Sequence, residues 1–237
     1  MKTITRILAP AMLAASAVLA APVAAQVQGP IGSLDLSRTV LSSTALATAY
    51  NEVGQSYATQ FEQIRAKTEQ RQTILRGFDK DSNNQVDDAE LAAAQKTPQF
   101  KQLETLEQEI NALNNQVNAA RIYAIEQILE QVSPALQQVV TDKKLKLVLE
   151  PSAIVFQPPE ADITEAVVTV LNTRLPRVAV VPPQNWQPSR TGVQMFQEIQ
   201  QMLATAQAIQ RQQQQQQQQQ GQTPVQPQGN TDAPVGR

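Results

Sequence analysis

Five carboxylates and two asparagines crowd the twelve residues Asp79–Glu90, "DKDSNNQVDDAE". Carboxylates this close repel one another, so a cation between them would be stabilising. Their spacing fits a calcium loop of the form D-x-[DN]-x-[DN]-G-x5-E at every ligand position. Asp79, Asp81 and Asn83 stand at positions 1, 3 and 5. Gln85 at position 7 offers its backbone carbonyl, Asp87 stands at position 9, and Glu90 at position 12 supplies the bidentate carboxylate. Val86 is the apolar residue usual at position 8. One position departs: Asn84 replaces the glycine of the sharp turn. That turn needs a positive φ, which asparagine tolerates better than other non-glycine residues. The substitution should weaken the loop without abolishing it.

A helix is expected on each side, over Thr73–Phe78 and from Asp88 to Lys96, which is the helix-loop-helix context of an EF-hand. The other reading of the same residues is a polar turn rich in capping side chains, since Asp87 and Asp88 favour a helix start with or without an ion. No second loop is found to pair with this one. A single exported calcium module would bind weakly, with a dissociation constant on the order of 10⁻⁴–10⁻³ M.

Absent residue types narrow the chemistry further. The chain has 237 residues with no His and no Cys. Disulfides, thiol catalysis, Ser-His-Asp sites and His-ligated zinc are therefore excluded. A metal must be held by oxygen, which makes calcium the expected cofactor. No familiar nucleophile-base pair can be assembled without His or Cys, so the chain is not expected to be an enzyme.

The elements around the loop set its place. Lys2 and Arg6 precede the apolar run "ILAPAMLAASAVLAAP", and "VAAQ" puts small residues at the cleavage positions. Residues 1–25 are read as a signal peptide cut after Ala25. A membrane span is the competing reading, but the run is short and Pro10 interrupts it. Without Lys2 and Arg6 the chain has 17 basic and 21 acidic residues, a net charge of −4. Nucleic acid and stable membrane insertion are not expected of it.

"IGSLDL" (Ile31–Leu36) reads as a short strand. From Thr44 a narrow apolar stripe, Leu46, Tyr50, Val53, Tyr57, Phe61 and Ile64, runs at steps of three and four to Phe78 along an otherwise polar helix. Thr97 and Pro98 mark the next helix start. Phe100, Leu103, Leu106, Ile110, Leu113 and Val117 continue the stripe, which runs on to about Val140, with Pro134 predicting a kink or break. The two helices would span roughly 50 Å and 60 Å, and fold back as an antiparallel hairpin. Period two then returns: Leu145–Leu149 and Ala153–Phe156 read as strands around an "EPS" turn, and "RVAVVPP" as a further one. Asp162 should cap the helix "ITEAVVTVLNTRL" together with Glu165. The fold class is thus α+β, a long coiled-coil hairpin projecting from a small β-sheet body. The body comprises residues 26–43 and 142–183 and the arm residues 44–141. An extra amphipathic helix follows at 184–211, then a disordered glutamine-rich tail at 212–237.

The exported chain, the strand "IGSLDLSRTVLSST", the long hairpin and above all the block "LKLVLEPSAIVFQPPEADITEAVVTVLN" resemble the Skp/OmpH family of periplasmic chaperones, over about Ile31 to Asn172. The resemblance implies a homotrimer joined through the β-rich body. It implies arms that enclose unfolded outer-membrane proteins in the periplasm and keep them from aggregating, without ATP. Tyr123, Ile125 and Leu129, if not buried in the seam, could add to the client surface. Family arms are often strongly basic. Here Thr44–Thr141 has 8 basic and 13 acidic residues, so steering of anionic partners is not carried over. The segment after about Arg174 lies outside the resemblance. An alternative function is a calcium-binding structural or envelope-interaction protein without chaperone activity.

Overall fold

The computed structural model describes residues 29–220. The expected signal peptide and residues 221–237 lie outside the described residues. Strand β1 is only Ile31–Ser33. It ends early because Asp35 caps helix α1 (Leu36–Leu41), accepting a bond from the Arg38 amide at 2.8 Å. Ser43 caps α2 (Thr44–Ser56), and α3 (Ala58–Phe78) follows. The single helix expected from Thr44 to Phe78 is therefore interrupted at Tyr57, where φ is −113° and ψ 21°. Main-chain bonds still pass the break, from Tyr57 N–H to Val53 and from Phe61 N–H to Tyr57.

After the acidic loop come α4 (Asp88–Ala94) and α5 (Pro98–Asp142). Helix α5 has 45 residues, about 68 Å at 1.5 Å per residue. The break expected at Pro134 does not occur. Proline strips an amide partner from the carbonyl four residues earlier, and that residue, Glu130, is exposed to water. The hairpin is antiparallel: Lys67 pairs with Glu109 at 2.7 Å, and Arg121 lies 5.4 Å from the Tyr50 ring centre.

The chain returns in β2 (Leu147–Leu149), which pairs with β1 in parallel, Ile31 opposite Leu147 and Ser33 opposite Leu149. Parallel neighbours need a long crossover, and here the whole arm is that crossover. Gly32 sits where a Cβ would lie 3.0 Å from Leu145 Cδ1 and 3.3 Å from Ile163 Cγ2, so a side chain there would push both neighbours back by a few tenths of an ångström. The strand expected over Ala153–Phe156 is not formed. Pro151–Ala153 is a single 3-10 turn, Pro158 and Pro159 withhold two donors, and Val155 and Phe156 project into solvent. The sheet within one chain is therefore two strands, extended by one bridge between Ser33 and Asp162.

Helix α6 (Thr164–Arg174) packs on the base of the hairpin. The capping box expected between Asp162 and Glu165 is replaced by a tighter arrangement, with the Thr164 amide donating to Asp162 Oδ1 at 2.9 Å. Residues 175–189 carry no strand, which corrects the expectation for "RVAVVPP". Helix α7 (Arg190–Gln220) then lies along α5 and α1. It continues through the glutamine run to Gln220, where a disordered tail from residue 212 was expected. Glutamine is a good helix former, and a preceding helix removes the cost of nucleation.

The core is concentrated at the arm's base. Val40, Ala45, Ala49, Ala120, Ala124, Ile125, Ile128, Val167, Leu171 and Ile199 are sealed there. Towards the tip the seam is one helix pair thick, and Phe78 is the one buried residue of α3.

Candidate functional site

At the far end of the arm, Phe78, Ala94 and Leu103 form a small buried cluster of their own, with Ile74, Leu75, Val86 and Phe100 packed around it. This cluster fixes the end of α3 against α4 and α5, and so holds both ends of the acidic loop. Val86 contributes the apolar contact expected of position 8. Within the loop, Ser82 and Asn84 adopt positive φ, 59° and 65°. The left-handed turn expected of Asn84 is present.

The loop is closed by its own carboxylates. Asp79 Oδ1 accepts from the Asn83 amide at 3.1 Å and Oδ2 from the Asn84 amide at 2.9 Å. Asn83 Oδ1 accepts from the Gln85 amide at 2.7 Å, and its Nδ2 donates to Asp81 Oδ2 at 2.8 Å. Asp87 caps α4, accepting from the Glu90 amide at 2.8 Å, while Glu90 Oε2 accepts from the Asp87 amide at 3.2 Å, a reciprocal capping box. Glu90 Oε1 accepts from the Lys80 and Asp81 amides on the opposite side of the loop. One carboxylate thereby ties the loop's start to its end.

Of the six sequence-derived ligand residues, Asp79, Asp81 and Glu90 bring an oxygen each within 4.8 Å of one another. Asn83 and Asp87 are engaged in turn and cap bonds, and the Gln85 amide is bonded to Asn83. Three converging carboxylate oxygens suit a hard divalent cation. The same arrangement also satisfies the carboxylates by backbone amides alone.

The body carries a second polar centre. Arg38 donates to Asp162, joining α1 to the entry of α6. This bond to Asp162 holds the Arg38 guanidinium above its usual range. Burial pushes the Asp162 carboxyl up, but the Thr164 hydroxyl and amide and the Arg38 cation outweigh it, so it titrates below the usual carboxylate range. Its role is structural: the pair locks the body beneath the arm.

Tyr123, Ile125 and Leu129 do not form an open client surface. Ile125 is fully buried and the other two are half-buried. What covers them was not visible in the hairpin pattern. Trp186 packs edge-on against Tyr123 with ring centres 5.3 Å apart, and its Nε1 donates to Glu126 Oε2 at 2.9 Å. Glu126 Oε1 also accepts from the Ser189 amide at 2.6 Å, just ahead of α7. Gln127 bonds the main chain of Ala179. Ile122 and Ile125, which fall off the hairpin stripe, are a sequence signal for this third layer: apolar residues beside the seam need a second neighbour.

No curated protein matches the chain. Among solved structures, it is similar to a candidate outer membrane chaperone (OmpH-like) from Caulobacter crescentus CB15. The two share 23 % identity over 66 % of this chain and 92 % of that one, with a TM-score of 0.40. The family model described as outer membrane protein (OmpH-like) matches residues 31–171, more than half of the chain. That stretch takes in β1, the arm helices α2 to α5, the tip loop, β2 and the first eight residues of α6, and the chain belongs to the OmpH-like family.

Proposed function

We propose that this protein is an ATP-independent holdase of the periplasm. It binds unfolded outer-membrane proteins between helical arms and keeps them from aggregating. The observation that supports this most is the arm itself. From Phe61 outward it is a stiff helix pair with a thin seam, about 25 Å long, built to reach away from the body rather than to enclose a core of its own.

The arms are brought together by a homotrimer joined through the body. Among the described residues no strand pairs with the outer edge of β2. Val155 is fully exposed, Phe156 is 86 % exposed, and Ile31 and Leu147 at the sheet's end are 45 % and 38 % exposed. Large side chains this open, next to unpaired strand edges, favour strand addition from a neighbouring copy. Among the described residues no helix is long and apolar enough to cross a membrane.

The tip loop binds calcium through Asp79, Asp81, Glu90 and the Gln85 carbonyl, with Asn83 and Asp87 completing the shell after small rotations. This sets the angle at which α3 turns into α4 and neutralises the loop. The alternative function, a calcium-binding envelope-interaction protein, would use the same tip without client binding.

The test is the native mass of the processed chain and the light scattering of a diluted denatured porin. A trimer that suppresses porin aggregation at stoichiometric amounts, without nucleotide, is expected. Phe156→Glu should shift the mass toward monomer. A stable monomer that leaves porin aggregation unchanged refutes the proposal. For the loop, calorimetry at millimolar calcium should give heat that Glu90→Gln removes; no heat in the unmodified protein ends the calcium assignment.

A further inference from the structure

Residues 175–189 join α6 to α7 and cross the base of the arm as a bound peptide would. Val178 and Val180 are buried, 8 % and 6 % exposed, and belong to the main core with Val53 and Ile128. Their neighbours Arg177, Ala179 and Val181 are exposed. Burial of every second residue is the habit of an extended chain. Both main-chain groups of Ala179 are held by one side chain. Its amide donates to Gln127 Oε1 at 3.1 Å, and its carbonyl accepts from Gln127 Nε2 at 2.9 Å. The Tyr57 hydroxyl, at the break between α2 and α3, lies 3.5 Å from the Val180 carbonyl. Arg177 pairs with Glu52 at 3.1 Å on one side, and Trp186 is anchored by Tyr123 and Glu126 on the other.

A side-chain amide that pairs with both main-chain groups recognises an extended backbone whatever its sequence. Two apolar seats at alternate positions add a demand for pattern rather than identity. Membrane strands of β-barrels alternate apolar and polar residues in the same way. We propose that the groove between α2 and α5 is a binding site for extended segments with alternating apolar residues. Arg177–Val181 is its resident internal ligand, and strand segments of unfolded β-barrel proteins displace it. This rests on the chaperone function proposed above and gives it a second, base-of-arm site. An internal ligand on a short tether acts at a high effective concentration, so the apolar seats stay covered until a client competes.

Trp186 is the only tryptophan of the chain; it lies five residues beyond Val181 on the same connection, anchored by Tyr123 and Glu126 beside Gln127 on α5, so its emission reports release that spreads along the connection from Arg177–Val181. The experiment titrates the full-length processed protein with a ten-residue, tryptophan-free, end-capped peptide alternating Val or Leu with Ser or Thr. A dye on the peptide reads binding and Trp186 reads the resident segment. A peptide of the same composition with its apolar residues regrouped at helical spacing is the control. Saturable binding of the alternating peptide with a red shift of Trp186 is expected, and weaker binding of the control. The variant Val178→Ser/Val180→Ser should bind the alternating peptide at least about tenfold tighter, because the competitor is weakened. Amide exchange at Ala179 in the unmodified protein gives a second measurement that does not depend on the variant's folding, and it should speed up with peptide. Binding that leaves Trp186 and Ala179 unchanged, equal binding of both peptides, or no binding overturns the site. Porin aggregation is scored separately. A protein that holds porin with Trp186 undisturbed keeps the holdase and loses this groove. A protein that answers the peptide but not porin does the reverse.

Discussion

Gly192, in the first turn of α7, offers a substitution whose sign depends on one carboxylate. Glycine to alanine in a helix ordinarily stabilises, by up to about 1 kcal/mol. At Gly192 the new Cβ would lie 2.5 Å from Glu126 Oε1, 2.7 Å from Cγ and 2.9 Å from Cδ. Glu126 can turn away, but only by releasing Trp186 Nε1 and the Ser189 amide. Bonds to a charged acceptor contribute about 1.5–3 kcal/mol each. Glu126 is half-exposed and water can replace it, so each bond is taken below that range, at about 1 kcal/mol, and the pair together at about 2 kcal/mol. Gly192→Ala should therefore destabilise by about 1 kcal/mol, the lost bonds exceeding the propensity gain. In a Glu126→Ala background the obstacle is gone, and the same change should stabilise by up to about 1 kcal/mol. The coupling of about 2 kcal/mol is measured by urea unfolding of the four proteins, followed by helix circular dichroism and Trp186 emission. If Gly192→Ala stabilises the unmodified protein as much as the Glu126→Ala protein, Glu126 does not hold the C-terminal extension, and the reasoning fails.

Ile128→Ala, at a fully buried position in the base, should cost about 2–5 kcal/mol, against about 1 kcal/mol for Leu113→Ala on the half-buried outer arm; thermal unfolding of the two variants checks the ratio. Asp162, whose carboxyl is held low, contributes stability that is full above the ordinary carboxylate value of about 3.9 and is lost as pH falls through its lower folded value. The stability difference between the unmodified protein and Asp162→Asn should accordingly shrink on acidification below about pH 4, and a difference that stays constant down to full protonation would exclude that assignment. Asn84→Val, forced into a φ of 65°, should destabilise the tip by about 1–2 kcal/mol, whereas Asn84→Gly should leave it intact and tighten any calcium binding seen by calorimetry.

The hairpin was legible because its signals are local. Thr97 and Pro98 mark the start of α5, and the three-four spacing of Leu103, Leu106, Ile110 and Val117 gives the buried face directly. The bend at Asn84 was legible for the same reason: one residue's φ preference decides it. The body was not. "AIVF" has the composition of a strand, but a strand also needs a neighbour, and one chain supplies none beside Val155 and Phe156. "RVAVV" has strand period because its alternate residues are buried against helices rather than in a sheet. Period two records an extended chain on a surface and cannot tell which surface. The glutamine run is helical through Gln220 for a cause outside it, the packing of Met195 and Ile199 that nucleates α7.

These misreadings have a common physical root that bears on function. Where the sequence pattern was complete within one helix pair, a single chain satisfies it. Where the pattern called for strands beyond β1 and β2, the chain left apolar residues exposed at Val155 and Phe156, or covered an extended segment with the arm's base at Val178 and Val180. The proposed holdase would use both conditions, assembling through the open edge and holding extended chains through main-chain bonds. Gln127 separates these from mere packing. Gln127 stands half-exposed at the margin of the apolar core, and both ends of its amide reach Ala179, its Nε2 also donating to the Tyr123 carbonyl. Replacing it with leucine, similar in volume, should leave the helix content of the chain unchanged while freeing the Ala179 amide to exchange. If that amide stays protected, the segment is held by its valines alone and the groove reads side chains, not backbone.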